Sequence, residues 1–269
     1  MKISETQLPD IYREAIQDQL DVYNQGRSIQ ARNSIPDTIE IPIENQRHWL
    51  KIPDVICVFV DMKGSTQLSA SLHDNSTAGA FQLFSGTLTN LFSTFEAPYI
   101  DIKGDGVFAL FDKDQPYRAF ASAVTAKTFI KTEFVPTIKE QTGIEVGSHL
   151  GIDQKTVLVR KIGYKRYRGR SDRQNEVWAG KPVNMAAKLS GLSEDSELLV
   201  SERFFKNINH KFVTKSCGCP NGEKVDLWKE KDLSEDKKFD FDKAYSLRTI
   251  WCSIHGKEYC ESILLLDKN

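Results

Sequence analysis

An α+β fold with the element order of a ferredoxin-like, split βαβ unit is predicted by three features of this 269-residue sequence. An unbroken apolar, β-branched run at 55–60 reads as a buried strand. Two stretches, at 81–95 and 119–134, repeat apolar residues at helical spacing and read as one-faced helices. Between them two short strand-like runs flank Gly104-Asp105-Gly106, a hairpin signal. A hydrophobic content of 40% is enough to fill the core that this arrangement needs.

Taken in order, Leu8, Ile11, Ala15 or Ile16, and Leu20 define a short amphipathic helix ending near Gly26, a lid or a dimer contact. Pro36 and Pro42, with no sustained period, make 27–49 an extended connector holding at most an edge strand. The strand at 55–60 delivers Asp61 at its end, and Leu68 and Leu72 predict a helical turn or two after Gly64. The helix carrying Phe81, Phe84, Leu88, Leu91, Phe92 and Phe95 needs a sheet to pack on. Strands at 99–103 and 107–111 follow, then a helix with Pro116 in its first turn and Gly143 near its stop. Val146, Ser148, Leu150 and Ile152 alternate as a strand, and Val157 and Val159 are expected to begin another after a polar turn at Asp153-Gln154-Lys155.

Beyond this unit, 163–170 reads as a mobile basic loop and 180–189 as a helix with Pro182 in its first turn. A strand at 198–200, a short helix at 202–207, a hairpin at 212–228 and a solvated charged stretch at 229–242 complete the reading. The organisation expected is an N-terminal helix and connector at 1–50, a main domain at 51–210, and a hairpin with a Cys/His-rich tail at 211–269.

A formal net charge of -1 argues against a nucleic-acid partner and against a stable membrane contact. The apolar runs are too short to span a bilayer, and the N-terminus lacks the layout of a secretory signal, so a cytoplasmic location is expected. An odd count of five cysteines fits a reducing compartment.

Two carboxylates carry the chemistry. Asp61 closes a strand before Met62-Lys63-Gly64-Ser65-Thr66, and Asp105 sits in the later glycine turn. Carboxylates at strand ends suit a hard divalent cation that completes its shell with phosphate oxygens. The bland reading of Asp61 is a helix N-cap, and that of Asp105, stronger taken alone, is ordinary turn chemistry; pairing with Asp61 is what turns Asp105 towards metal.

Three segments in order, 59–66, Lys103-Gly104-Asp105-Gly106 and 180–189, resemble the class III nucleotidyl cyclase catalytic domain, with the likeness running from about Val55 to Asn207. The resemblance implies that Asp61 and Asp105, with the backbone of Met62, hold two Mn²⁺ or Mg²⁺ ions per site. It implies that the ribose 3′-oxygen attacks the α-phosphorus while diphosphate leaves. It places backbone amides of Met62, Lys63, Gly64, Ser65 and Thr66 on phosphate oxygens and makes Asn184 the residue that orients the ribose. Class III sites are shared between two chains, so a homodimer is implied.

Departures from the family pattern are as informative. The transition-state arginine four residues after the asparagine is replaced by Lys188, which lacks the planar fork. Arg170, or Arg166, Arg168 or Arg173 on the basic loop, is available to compensate. Where adenylate cyclases place a lysine and an aspartate on the purine, this chain has Asp101 and Val177. The glutamate and cysteine of guanylate cyclases are absent too, although Glu176 is one residue out of register. The pattern is most similar to the bacterial Pycsar pyrimidine cyclases, which implies UTP or CTP as substrate, a weak lean to UTP, and an antiphage messenger as product. Asp101 or a neighbour would then read a pyrimidine, with Phe59 or Tyr99 limiting pocket depth. A purine cyclase with a rebuilt pocket and an idle nucleotide-binding domain stand as alternatives.

Finally, Cys217, Cys219, Cys252, His255 and Cys260 offer thiols and an imidazole at spacings compatible with a structural Zn²⁺, or are unrelated reduced cysteines.

Overall fold

The computed structural model describes residues 8–268. Along the chain these form α1 (Asp10–Asn24), β1 (Ser28–Ala31), β2 (His48–Lys63), α2 (Ser65–Ser71), α3 (Asp74–Thr94), β3 (Tyr99–Lys103), β4 (Gly106–Phe111) and α4 (Pro116–Phe129). A π-helical turn, Ile130–Phe134, joins α4 to α5 (Val135–Thr142). Then come β5 (Gly147–Tyr164), β6 (Arg173–Gly180), α6 (Lys181–Leu192), β7 (Glu197–Ser201), α7 (Glu202–Phe205), α8 (Lys211–Thr214), β8 (Trp228–Asp232), β9 (Lys243–Leu247) and α9 (Gly256–Leu264). No helix among the described residues is long and apolar enough to cross a membrane.

The chain divides into two compact units, 1–52 with 158–179, and 53–157 with 180–269. In the first, β1 pairs in parallel with the start of β2, and β6 pairs with the end of β5. Arg160 holds this unit's connector by donating to the carbonyls of Asn45 and Ile43, each at 3.1 Å. The apolar residues of α1, Ile11, Tyr12, Ile16 and Leu20, are exposed.

The second unit contains the split βαβ arrangement. Its strands run in the order β3-β4-β2-β5-β7-β9-β8. Both β2 and β3 are antiparallel to β4, so they are parallel to each other with β4 inserted between them. Alternation along β2 then sorts its side chains. Ile56, Val58, Val60 and Met62 enter the main core with Phe84, Leu88 and Phe92 of α3 and the alanines of α4. Cys57, Phe59 and Asp61 alternate with these and belong to the opposite face.

On that opposite face α6 lies against β5. An added Cβ at Gly151 would come within 2.0 Å of the Ala186 carbonyl oxygen, so only glycine lets helix and strand approach this closely. A smaller core of Met185, Leu189, Leu199, Leu233, Phe241 and Ala244 fills the rest of the contact.

Four expectations are corrected. The polar turn at Asp153-Gln154-Lys155 does not exist; β5 runs through it, because the buried Asp153 carboxylate accepts from Arg203 Nε at 2.7 Å. The basic loop lies at 165–172 instead of 163–170, because β5 continues to Tyr164 and β6 begins at Arg173. The charged stretch 229–242 is not merely solvated. It supplies β8 and the loop to β9, with Leu233 and Phe241 buried, while 212–228 forms a short helix and a single bridge, Lys215 to Asp226, instead of a regular hairpin.

One buried cation makes the fold pH-sensitive. Lys127 on α4 is fully buried, and its Nζ donates to the Leu247 carbonyl at 2.6 Å. Burial, with a smaller push from Lys131, lowers its pKa to about 7, while Glu197 opposes the shift. A lowered lysine contributes stability that is complete above its unfolded value of 10.5 and is lost as pH falls towards 7. Denaturant unfolding of wild type against Lys127→Met across this range should therefore show the wild type alone gaining with pH, by up to about 1.4 kcal/mol per pH unit. Parallel curves for the two proteins would exclude the assignment.

Candidate active site

The register of β2 on β4 sets the centre of the site. Asp61 pairs with Gly106, the residue after Asp105, and the Met62 amide donates to the Asp105 carbonyl at 3.2 Å. Asp61 on β2 and Asp105 in the turn between β3 and β4 are thereby held at one sheet end. Gly106 leaves room for this: a Cβ there would stand 3.3 Å from Asp61 Oδ1 and 3.0 Å from the Phe59 ring. Ser65 Oγ donates a short hydrogen bond to Asp105 Oδ2.

The electrostatics of the pair are unfavourable. Burial, and then the Asp105 charge, push the Asp61 carboxyl up from its ordinary range, and His149 on β5 only partly offsets them. Two oxygen-donor groups that repel each other at the end of a sheet fit a hard divalent cation, which would convert the repulsion into attraction.

The turn after Asp61 depends on Gly64. Its φ of 86° lies in the left-handed region, and a Cβ would stand 2.8 Å from the Glu145 carbonyl oxygen. The backbone then enters α2 at Ser65, so Asp61 is no helix cap. Because the Met62 amide is already bonded to Asp105, the donors this turn can turn outward come from the residues after it.

Cross-strand pairing carries the same face onto β3. Phe59 lies opposite Phe108, their rings stacked at 6.4 Å, and Phe108 lies opposite Asp101. The Tyr99 ring packs on Phe108 at 6.0 Å. Asp101 Oδ2 meets Lys103 Nζ at 2.7 Å and accepts from the Tyr99 hydroxyl at 3.4 Å. Phe59, Asp61, Phe108, Tyr99, Asp101 and Lys103 thus share one face of three adjacent strands. Lys103, carried in the sequence only as part of the glycine motif, is the member whose partnership was missed; its i,i+2 spacing from Asp101 on a strand was the available signal.

Asn184 and Lys188 stand one turn apart on the exposed side of α6. Lys188 Nζ donates to the Lys238 carbonyl at 2.8 Å, and Lys181, at the start of the helix, meets Asp240 at 2.7 Å. Asp240 also binds Lys155 at 2.9 Å and Arg203 at 3.0 Å. Burial opposes its ionisation, but the bonds from Arg203, Lys181 and Lys155 hold its carboxyl well below the usual range. The loop between β8 and β9 therefore straps the outer side of α6.

In the other unit Arg170 is paired with Asp172 through both its Nε and an Nη, and Glu176 on β6 meets Lys161 at 3.6 Å, beside an exposed Val177. Of the C-terminal ligand candidates, Cys217, Cys219, Cys252 and His255 come together. Cys260 does not join them; it is half-buried on α9 against the main core.

No protein-family model matches the chain. Among curated proteins it is 34% identical over 233 residues to a protein named uridylate cyclase from Micromonospora echinofusca, covering 85% of this chain and 74% of that one. A uridylate cyclase from Propioniciclava tarda matches at 34% over 234 residues with the same coverage. Among solved structures, the adenylyl cyclase CyaB from P. aeruginosa superposes with a TM-score of 0.60 at 17% identity, over 74% of this chain and 95% of that one. The guanylyl cyclase Cya2 does so with a TM-score of 0.58 at 16% identity, over 74% and 93%. At such identities these two are likenesses of fold.

The repulsion between the carboxylates has a measurable consequence. An aspartate with a raised folded-state pKa gives stability below its unfolded value and loses it as pH rises through the folded value. Metal-free Asp61→Asn should therefore melt above metal-free wild type at neutral pH, and the difference should vanish on acidification. Added Mn²⁺ should raise the melting temperature of wild type and not of the variant. A variant that melts lower than wild type throughout would contradict the electrostatic reading.

Proposed function

Because the chain belongs to the class III nucleotidyl cyclases, alongside relatives named uridylate cyclase, we propose that it converts UTP to 3′,5′-cyclic UMP and diphosphate. The observation that carries the base choice is the Asp101 carboxylate, held between Lys103 and Tyr99 on the face that bears Asp61. A uracil ring presents an N3–H donor between two carbonyl acceptors. Asp101 can accept the N3–H and Lys103 can donate to an adjacent carbonyl. Cytosine has an acceptor at N3 and so meets Asp101 with the wrong sign. Phe59 and Tyr99 limit the depth available to a larger purine.

In the reaction, the ribose 3′-oxygen forms a bond to the α-phosphorus, the bond from that phosphorus to the α,β-bridging oxygen breaks, and diphosphate departs. Asp61 and Asp105, with the Met62 carbonyl, are the groups that would hold a pair of Mn²⁺ or Mg²⁺ ions. When bound, such ions favour ionisation of the 3′-hydroxyl and neutralise the triphosphate. Amides of Lys63, Gly64, Ser65 and Thr66 bind phosphate oxygens. Asn184 orients the ribose, and Lys188 or Arg170 meets the charge that develops in the transition state. Lys188 Nζ, bonded to the Lys238 carbonyl, keeps two further N–H donors for that purpose. The site is built by two copies, the carboxylates from one and α6 from the other. The product serves as a diffusible messenger, in antiphage signalling by the resemblance to the Pycsar enzymes.

Incubation with Mn²⁺ and each ribonucleoside triphosphate, with chromatographic resolution of products, should give cyclic UMP as the main species. Cyclic AMP, cyclic GMP or cyclic CMP as the main species would overturn the substrate assignment. Asn184→Ala and Lys188→Ala should each lower kcat on the order of 10²-fold or more. A mixture of inactive Asp61→Asn and inactive Asn184→Ala should recover up to about a quarter of wild-type activity, through heterodimers carrying one intact site. A mixture that stays at background, though the two variants exchange subunits, would exclude a shared site.

A further inference from the structure

Four side chains of the C-terminal segment are not used by the nucleotide chemistry proposed above. Cys217, Cys219, Cys252 and His255 bring their ligand atoms within 4.8 Å of one another. Cys219 Sγ lies 3.2 Å from His255 Nδ1. The residues are drawn from two separated segments, and each segment is folded so as to deliver a pair.

In the first, the Ser216 amide donates to the Val225 carbonyl at 2.8 Å, closing a loop. Gly218 turns the chain between the two cysteines at a φ of 94°, and a Cβ there would meet the Gly222 backbone at 2.9 Å. In the second, the Gly256 amide donates to the Cys252 carbonyl at 2.8 Å, turning the chain so that Cys252 and His255 come together. All of the cysteines here are free thiols, so no disulfide accounts for the convergence.

We propose that these four residues bind one Zn²⁺ in a closed Cys₃His site. Three soft thiolates and one imidazole are the donor set that selects zinc over the oxygen-seeking Mg²⁺ or Mn²⁺ of the cyclase site. With four protein ligands no position is left for substrate, so the site is structural. Binding forms three Zn–S bonds and one Zn–N bond and releases the thiol protons to solvent.

What the site joins follows from its neighbours. Trp251 Nε1, next to Cys252, donates to Thr125 Oγ1 on α4 at 2.8 Å. After α9, the Asp267 carboxylate accepts from the Tyr117 and Arg118 amides at 3.0 and 2.7 Å, capping the first turn of α4. Zinc therefore staples the loop before β8 to the segment that docks on α4, and α4 is part of the main core. An apolar cavity of about 210 Å³ lies beside it, lined by Phe120, Val124, Phe212, Leu227 and Tyr259 among others.

The test is metal analysis of the full chain, purified without chelator, with the same measurement on Asp61→Asn so that zinc content is judged independently of cyclase activity. One zinc per chain is expected in both. Exchange with Co²⁺ should give thiolate-to-cobalt charge-transfer bands and the visible spectrum of a tetrahedral ion. Cys219→Ser combined with His255→Gln should reduce the metal to trace levels, whereas Cys260→Ser and Cys57→Ser should retain it. Should the double variant fail to fold, thiol modification of wild type decides: three cysteines should be protected until a chelator is added. Metal-free protein with immediately reactive thiols, a Co²⁺ spectrum without thiolate bands, a Cys–Cys crosslink by mass spectrometry, or loss of zinc in Cys260→Ser would each overturn the proposal.

Discussion

The repulsion between Asp61 and Asp105 is the constraint around which the second unit is arranged. It arises from a strand register that places Asp61 opposite Gly106, and it persists because His149 offsets it only in part. A fold left to itself gains nothing from two acids at one sheet end. The glycine at 106, the left-handed turn at Gly64 and the Ser65 bond to Asp105 all preserve that geometry. Each sacrifices conformational freedom or apolar packing in order to keep two negative oxygens side by side, which is the expected signature of a site completed by a cation and a polyphosphate.

The two faces of the sheet divide the labour. One is a conventional apolar core in which α3 and α4 cover the even-numbered residues of β2. The other carries Phe59, Asp61, Phe108, Asp101 and Lys103 on neighbouring strands and seats α6 on Gly151. The loop between β8 and β9 then fixes α6 from outside through Lys181 and Lys188. Lys188 is thus engaged by its own chain, at the carbonyl of Lys238.

Much of this was legible in the sequence, for physical reasons. The run at 55–60 is buried on both faces, so it reads as continuous apolar residues, and the helix at α3 has a clear period. Asp61 follows from the end of the first, and Asp105 from the hairpin signal at Gly104-Asp105-Gly106. What escaped the sequence depended on distant partners. Asp153 looks like a turn residue until Arg203, fifty positions on, is found against it. β8 is an edge strand whose Lys and Glu residues guard it from aggregation, and that same composition disguises it as solvated coil. Likewise Cys260 falls on the right spacing for a zinc ligand, but its place on α9 takes it away from the other four.

The central claim is that Asp61 and Asp105 jointly hold divalent ions beside a nucleotide. Electron paramagnetic resonance of Mn²⁺ bound in the presence of 3′-deoxy-UTP, which cannot cyclise, addresses this directly. A spin-coupled Mn²⁺ pair is predicted, abolished by Asp61→Asn and by Asp105→Asn alike. Mn²⁺ uptake and coupling that survive both substitutions would contradict it.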